Sequence, residues 1–164
     1  MRAQPRLSAI FKSASAADTL RLAGLFAGGV KGGSVLSLEG PIGAGKTLFV
    51  KGLAGALGAK KLPVSASFNI MRTYLAGLKI YHFDLFRVAP EEIENIGLED
   101  YLGLEDGVSA LEWAAPARQF FERSDFTELV FFLSGGDSRR VLARAHGPES
   151  RRLIERVKKE WKKK

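Results

Sequence analysis

The stretch SVLSLEGPIGAGKTLFV, residues 34–50, restricts the possible folds of this chain more than any other. A short apolar run, Ser34–Leu38, reads as a strand, and the run from Leu48 to Leu57, stopped by Gly58, reads as a helix. Between them, Gly40-Pro41-Ile42-Gly43-Ala44-Gly45-Lys46-Thr47 fits G-x-x-x-x-G-K-[ST] at every fixed position. Glycines let the backbone curl so that several amides point inward at a β-phosphate. The helix behind adds the positive end of its dipole. Lys46 supplies a mobile charge for the β- and γ-oxygens, and the Thr47 hydroxyl is a magnesium ligand. Gly45 is the position most in need of an unusual torsion. Gly40, Gly43, Ala44, Gly45, Lys46 and Thr47 are therefore the expected nucleotide contacts.

Such a seat needs an acid at the end of a second strand to position the metal. Two apolar runs end in one: KIYHFD at Asp84 and VSALE at Glu112. Asp84 is the expected magnesium partner. Glu112 is expected to order or deprotonate the attacking water, or to meet the metal through water. Trp113 follows, and reads either as a core residue or as one that packs beside the nucleotide and holds Glu112 in position. The segment Val64–Phe68, VSASF, reads on composition as an ordinary polar loop, but it also offers hydroxyls that could close over a γ-phosphate, with Ser67 lending one to metal or water. His82 and His146 read as structural, Arg87 as paired with an acid, and Arg139 and Arg140 as solvent or partner contacts beyond a Gly-Gly turn.

Elsewhere, Ser15 reads as the cap of a helix over residues 16–27, with Asp18 near its N-terminal dipole. Phe68–Tyr74 and Leu78–Phe83 read as a hairpin around Ala76-Gly77. Residues 91–101 read as short helical turns, Val108–Leu111 as a strand and Ala115–Arg123 as a helix. Leu129–Leu133 and Val141–Ala145 form a second hairpin, and Pro148 opens a C-terminal helix. Alternating strands and helices followed by hairpins predict a single α/β domain over residues 1–164: a phosphate-loop NTPase-like, three-layer fold with a mixed central sheet.

Composition narrows the function. With no cysteine among 164 residues, disulfides, thiolate zinc sites and cysteine nucleophiles drop out together, and two histidines make a multi-histidine metal site a poor expectation. No stretch has the roughly 20 apolar residues of a membrane span, and the N-terminus has no continuous apolar core of a signal peptide, so a cytoplasmic protein is expected. The net charge is +7, and residues 149–164 hold eight basic and three acidic side chains, so the basic character is concentrated in a tail from about residue 148. That tail reads either as a solvated helix or as a contact for tRNA. With no N-K-x-D element to read guanine, ATP is the expected nucleotide.

The pieces VSASF, YHFDLFR, GLEDYL and LEW, in this order behind the phosphate loop, resemble the TsaE (YjeE) family over roughly Ser13–Ala145. The resemblance implies a small bacterial ATPase using ATP and Mg²⁺, needed for threonylcarbamoyl modification of the tRNA adenosine beside the anticodon. It implies TsaD and TsaB as partners, Lys46, Ser67 and Glu112 in hydrolysis, and Thr47, Asp84 and Glu112 around the metal. The chain departs from the family pattern in three places: Ala66 stands for Pro, Ser67 for Thr and Phe86 for Tyr. The first two leave the loop less pre-organised, so hydrolysis is expected to be slow, and Ser67→Thr should speed it or leave it unchanged. The remaining readings are a small-molecule kinase on the same scaffold and a nucleotide-sensing module without turnover.

Overall fold

The structure is a computed structural model that describes residues 7–63 and 69–163. Seven strands make one mixed sheet: β1 Ser8–Ser13, β2 Val35–Glu39, β3 Met71–Tyr74, β4 Lys79–Asp84, β5 Gly107–Glu112, β6 Thr127–Leu133 and β7 Arg139–Ala145. Their spatial order is β1-β7-β6-β2-β5-β4-β3. The four central strands β6, β2, β5 and β4 run parallel, while β7, β1 and β3 pair antiparallel at the flanks. The α/β class and the mixed sheet stand as expected.

Strand periodicity divides the core into two halves, because successive side chains point to opposite faces. Leu36, Leu38, Ile80, Val108, Ala110, Leu129, Phe131, Val141 and Ala143 belong to one cluster, which they share with the three long helices. Val35, Tyr81, Phe83 and Leu111, one residue out of phase, face the other way. They pack under the short 3-10 segments Pro90–Ile96, Leu98–Asp100 and Ala115–Phe120. The last of these is shorter than the helix expected over residues 115–123.

Helix α1, Ala16–Ala27, starts at Ser15, whose hydroxyl accepts from the Asp18 amide at 3.2 Å, while the Asp18 carboxylate accepts from the Ala14 amide at 3.0 Å. The two ends of this reciprocal cap satisfy amides that the helix cannot pair internally. Helix α2, Lys46–Ala56, buries Phe49, Val50, Leu53 and Ala54. Gly52 lets it approach α1 closely: a β-carbon there would lie 2.8 Å from Ala23 Cβ.

Two features go beyond the sequence reading. Strand β1 was not expected, although Ala9, Phe11 and Ser13 alternate buried with exposed neighbours and pair with β7 from Ser8↔Arg144 to Ser13↔Arg139. Helix α3, Pro148–Trp161, is basic, but it is also part of the core. Leu153, Ile154 and Val157 are buried, each worth about 1.5–3 kcal/mol on transfer from water. Trp161 meets Phe11 edge-on at 6.0 Å and carries the Arg21 guanidinium 4.4 Å above its ring. The Asp125 carboxylate accepts from the Glu149 and Ser150 amides and so caps α3 from a distant loop. Exposed lysines line its outer side.

Candidate functional site

Lys46, Thr47, Asp84, Glu112 and Trp113 gather at the carboxyl ends of the central parallel strands, the position where open α/β sheets place ligands. β2 leads into the loop. Gly40, Gly43 and Gly45 all have positive φ, at 136°, 78° and 105°, which explains why these three positions are glycine. Gly45 is the N-cap of α2 and offers no side-chain cap, so the amides of the first helical turn point out of the helix with no side chain to receive them. No acidic residue occupies that turn. The loop thus presents donors and a positive dipole end, the requirements of a phosphate seat.

Lys46 is buried against this loop, only 4% exposed. Its ammonium donates to the Gly40 carbonyl and, at 3.0 Å, to the Pro41 carbonyl. It also sits 4.1 Å from the centre of the Trp113 ring. Burial lowers its pKa from the ordinary lysine value, and the charges of Glu112, Glu39 and Asp84 pull the other way.

The acids reach the loop through strand register. Ile80, His82 and Asp84 share the helix-facing side of β4; Val108, Ala110 and Glu112 share it on β5. β4 and β5 are parallel with Asp84 opposite Glu112, and β5 lies beside β2 with Glu112 opposite Leu38. Glu112 is 2% exposed. Its carboxylate accepts from the Thr47 hydroxyl at 2.9 and 3.0 Å, and its Oε1 lies 2.8 Å from His82 Nε2. Asp84 is half-buried and accepts from the Phe86 amide at 3.1 Å. Burial raises its pKa above the ordinary value; the Phe86 amide opposes this and the Glu112 charge adds to it.

Trp113 has φ 56°, the single positive-φ residue other than glycine among the described residues. This torsion costs on the order of 1–3 kcal/mol, and such strain concentrates at functional sites. It turns the indole from the strand end toward Lys46 and Phe86, whose ring centroid is 4.9 Å away. The cleft, about 450 Å³, is lined by loop residues with Thr47, Asp84, Glu112 and Trp113, and by Arg139.

The structure therefore brings together Lys46, Thr47, Asp84, Glu112 and Trp113. Ser67 and the whole segment 64–68 lie outside the described residues. Two further residues reach the site. His82, read from sequence as a structural residue, pairs with Glu112. Arg139, grouped with Arg140 as a surface residue, lies over Gly45. The β7 alternation separates these two arginines: Arg139, Val141 and Ala143 are buried and Arg140 is not. His146 stacks on Phe126 at 4.0 Å and approaches Glu128 at 3.2 Å, far from the cleft in the sheet. No helix among the described residues is long and apolar enough to cross a membrane.

Comparison with known proteins gives a consistent picture. A family model described as "Threonylcarbamoyl adenosine biosynthesis protein TsaE" matches residues 13–141. The chain is 36% identical over 141 residues to the tRNA threonylcarbamoyladenosine biosynthesis protein TsaE of Bacillus subtilis, covering 85% of this chain and 87% of that one. It is 40% identical over 101 residues to the protein of the same name from a Nostoc species, covering 59% and 62%. The crystal structure of YdiB from Bacillus subtilis superposes with a TM-score of 0.80 at 29% identity, covering 96% of this chain and 99% of that one.

Proposed function

From the premise that this chain belongs to the TsaE family, we propose that it is a cytoplasmic Mg²⁺-dependent ATPase that supports a TsaB–TsaD complex in threonylcarbamoyl modification of tRNA. The observation that carries the reading is the convergence of Lys46, Thr47 and Glu112 on one cleft at the mouth of the loop.

The donor set fits a magnesium-bound triphosphate. Loop amides and the α2 N-terminus would receive β-phosphate oxygens, and Lys46, which now donates to the Gly40 and Pro41 carbonyls, would exchange them for β- and γ-oxygens. Thr47 and Asp84 would hold the metal, with Glu112 beside them; the metal, when bound, neutralises charge building on the β- and γ-oxygens. Glu112 has the one feature a water-activating carboxylate needs, a fixed orientation, because Thr47 and His82 hold both of its oxygens. Hydrolysis breaks the bond between the γ-phosphorus and its bridging oxygen as water attacks, and the proton leaving that water passes to Glu112. The Trp113 ring lies against the lysine ammonium and lines the cleft.

The test is a Mg²⁺-dependent ATPase assay, run alone and with TsaB and TsaD, together with a pull-down of the two partners with and without ATP. ATP-dependent capture with turnover is expected, and Lys46→Ala should abolish the turnover. Hydrolysis unchanged in Lys46→Ala would sink the assignment. Phosphorylation of a metabolite would point to the kinase reading instead.

A further inference from the structure

We propose that Arg139 is a nucleotide-binding residue that grips the α-phosphate, the end of the phosphate chain remote from the metal. This rests on the nucleotide-binding reading above and adds a contact to it.

Arg139 opens β7 at the turn of the β6–β7 hairpin, paired with Leu133. β6 runs parallel to β2, so the end of β6 and the start of β7 stand at the same edge of the sheet as the loop. They stand on the opposite side of β2 from β5 and β4, which carry Glu112 and Asp84. The cleft therefore has an acidic flank and a guanidinium flank, with the loop between them.

The side chain is placed over the loop itself. A β-carbon on Gly45 would run into Arg139 Nη1, with Cδ and Cζ each 3.3 Å from it. Arg139 is only 9% exposed, yet among the described residues its buried Nε has no hydrogen-bond partner. Its Nη2 donates to the Asp137 carbonyl at 3.2 Å. A buried guanidinium nitrogen with no acceptor is costly unless something supplies one. Here it lines a cleft whose other donors suit phosphate. Arginine presents two N–H groups in a planar fork that matches two phosphate oxygens, so the acceptor it lacks and the ligand the loop expects are the same chemistry.

Orientation then selects the phosphate. Thr47, Asp84 and Glu112, which would hold the metal, lie on one flank of the cleft. A chain of phosphates that starts there and crosses the loop brings its α-phosphate to the opposite flank, where Arg139 waits.

The experiment is equilibrium binding of Mg·ATP and Mg·ADP to the wild-type chain, Arg139→Ala and Arg139→Lys, with melting temperature measured without nucleotide as a check on folding. Arg139→Ala is expected to weaken both nucleotides by the same factor, about 10- to 100-fold for a charge-assisted bond, with Arg139→Lys in between. Adenosine 5′-O-(1-thiodiphosphate) carries sulfur in place of one α-oxygen. The loss caused by Arg139→Ala should shrink for at least one of its diastereomers. If Arg139→Ala does not fold, Arg139→Gln carries the same measurements. A loss confined to ATP would move the contact to the γ-phosphate and overturn the proposal. So would affinities that do not change, or losses identical for ADP and both diastereomers. If the wild-type chain binds neither nucleotide, the function proposed above falls as well; if it binds both and the arginine variants bind them as tightly, this inference alone falls.

Discussion

Thr47→Val isolates the bond that ties the loop to β5. Valine keeps the branched shape and the methyl packing but removes the hydroxyl that donates to Glu112 at 2.9 and 3.0 Å. The acceptor is a carboxylate 2% exposed, so water does not replace the lost donor. His82 at 2.8 Å remains as its other partner. One hydrogen bond to a buried charged group is worth about 1.5–3 kcal/mol. For a domain of this size each kcal/mol shifts the melting temperature by about 2–4 °C, so a fall of about 3–12 °C is expected without nucleotide. A second, separable effect follows on ligand addition. A nucleotide at about 100 times its Kd would stabilise the folded chain by about 2.7 kcal/mol in the wild type, and on the proposed function Thr47→Val should lose most of that for Mg·ATP because the proposed metal ligand is gone. Thermal melts with and without Mg·ATP read both effects. Combining Thr47→Val with Glu112→Gln should give less than the sum of the single losses, with a coupling of about 0.5–3 kcal/mol. A nucleotide-free melting temperature that does not move, or strictly additive single and double variants, would refute the link between the loop and the carboxylate.

Asp84→Asn should raise stability at neutral pH while weakening the Mg²⁺ dependence of nucleotide binding. The folded pKa of Asp84 is raised, so its favourable contribution is present below the unfolded value of 3.8 and lost as pH rises through the folded value. The variant escapes that loss, and melts across pH should show the two curves converging in acid. Glu128 behaves in the opposite sense. Burial raises its pKa, but hydrogen bonds from Arg118, His146 and Arg144 outweigh burial and the net shift is downward. Glu128→Gln should destabilise the chain above the unfolded value of 4.5, and the difference should fade as pH falls through the lower folded value. Ile154→Ala, at a fully buried position of α3, should cost about 2–5 kcal/mol in denaturant melts. Deleting α3 would strip Leu153, Ile154 and Val157 from the core, so a tRNA contact is better tested by charge reversal at the exposed Lys158, Lys159 and Lys162, with salt-dependent RNA binding as the readout. RNA binding that is unaltered at low salt would leave the lysines as a solvated surface.

Much of the fold was legible because its signals are local. Apolar periodicity and glycine punctuation mark β2, α2 and the two hairpins, since a turn torsion or a buried face is dictated within a few residues. The Ser15 cap of α1 is of the same kind. β1 escaped because a six-residue alternation near a chain end has little meaning until β7 offers it a partner. The 3-10 segment at 115–120 read as a longer helix because its apolar spacing alone does not separate the two.

The sequence by itself determined the loop pattern on which the proposed phosphate seat rests: three glycines, a lysine and a threonine in fixed spacing between a strand and a helix. It also marked Asp84 and Glu112 as strand-ending acids. Only the tertiary structure decided that these two stand opposite each other, that Glu112 takes both Thr47 and His82, that Arg139 faces the loop while Arg140 faces away, and that the basic C-terminal helix is core as well as surface. The physical reason is range. A torsion or a cap is fixed by near neighbours, whereas strand order, register and the burial of a charge depend on segments far apart in the chain, as Thr47 is from Glu112 and Ser8 from Arg144, brought together by the packing of the whole sheet.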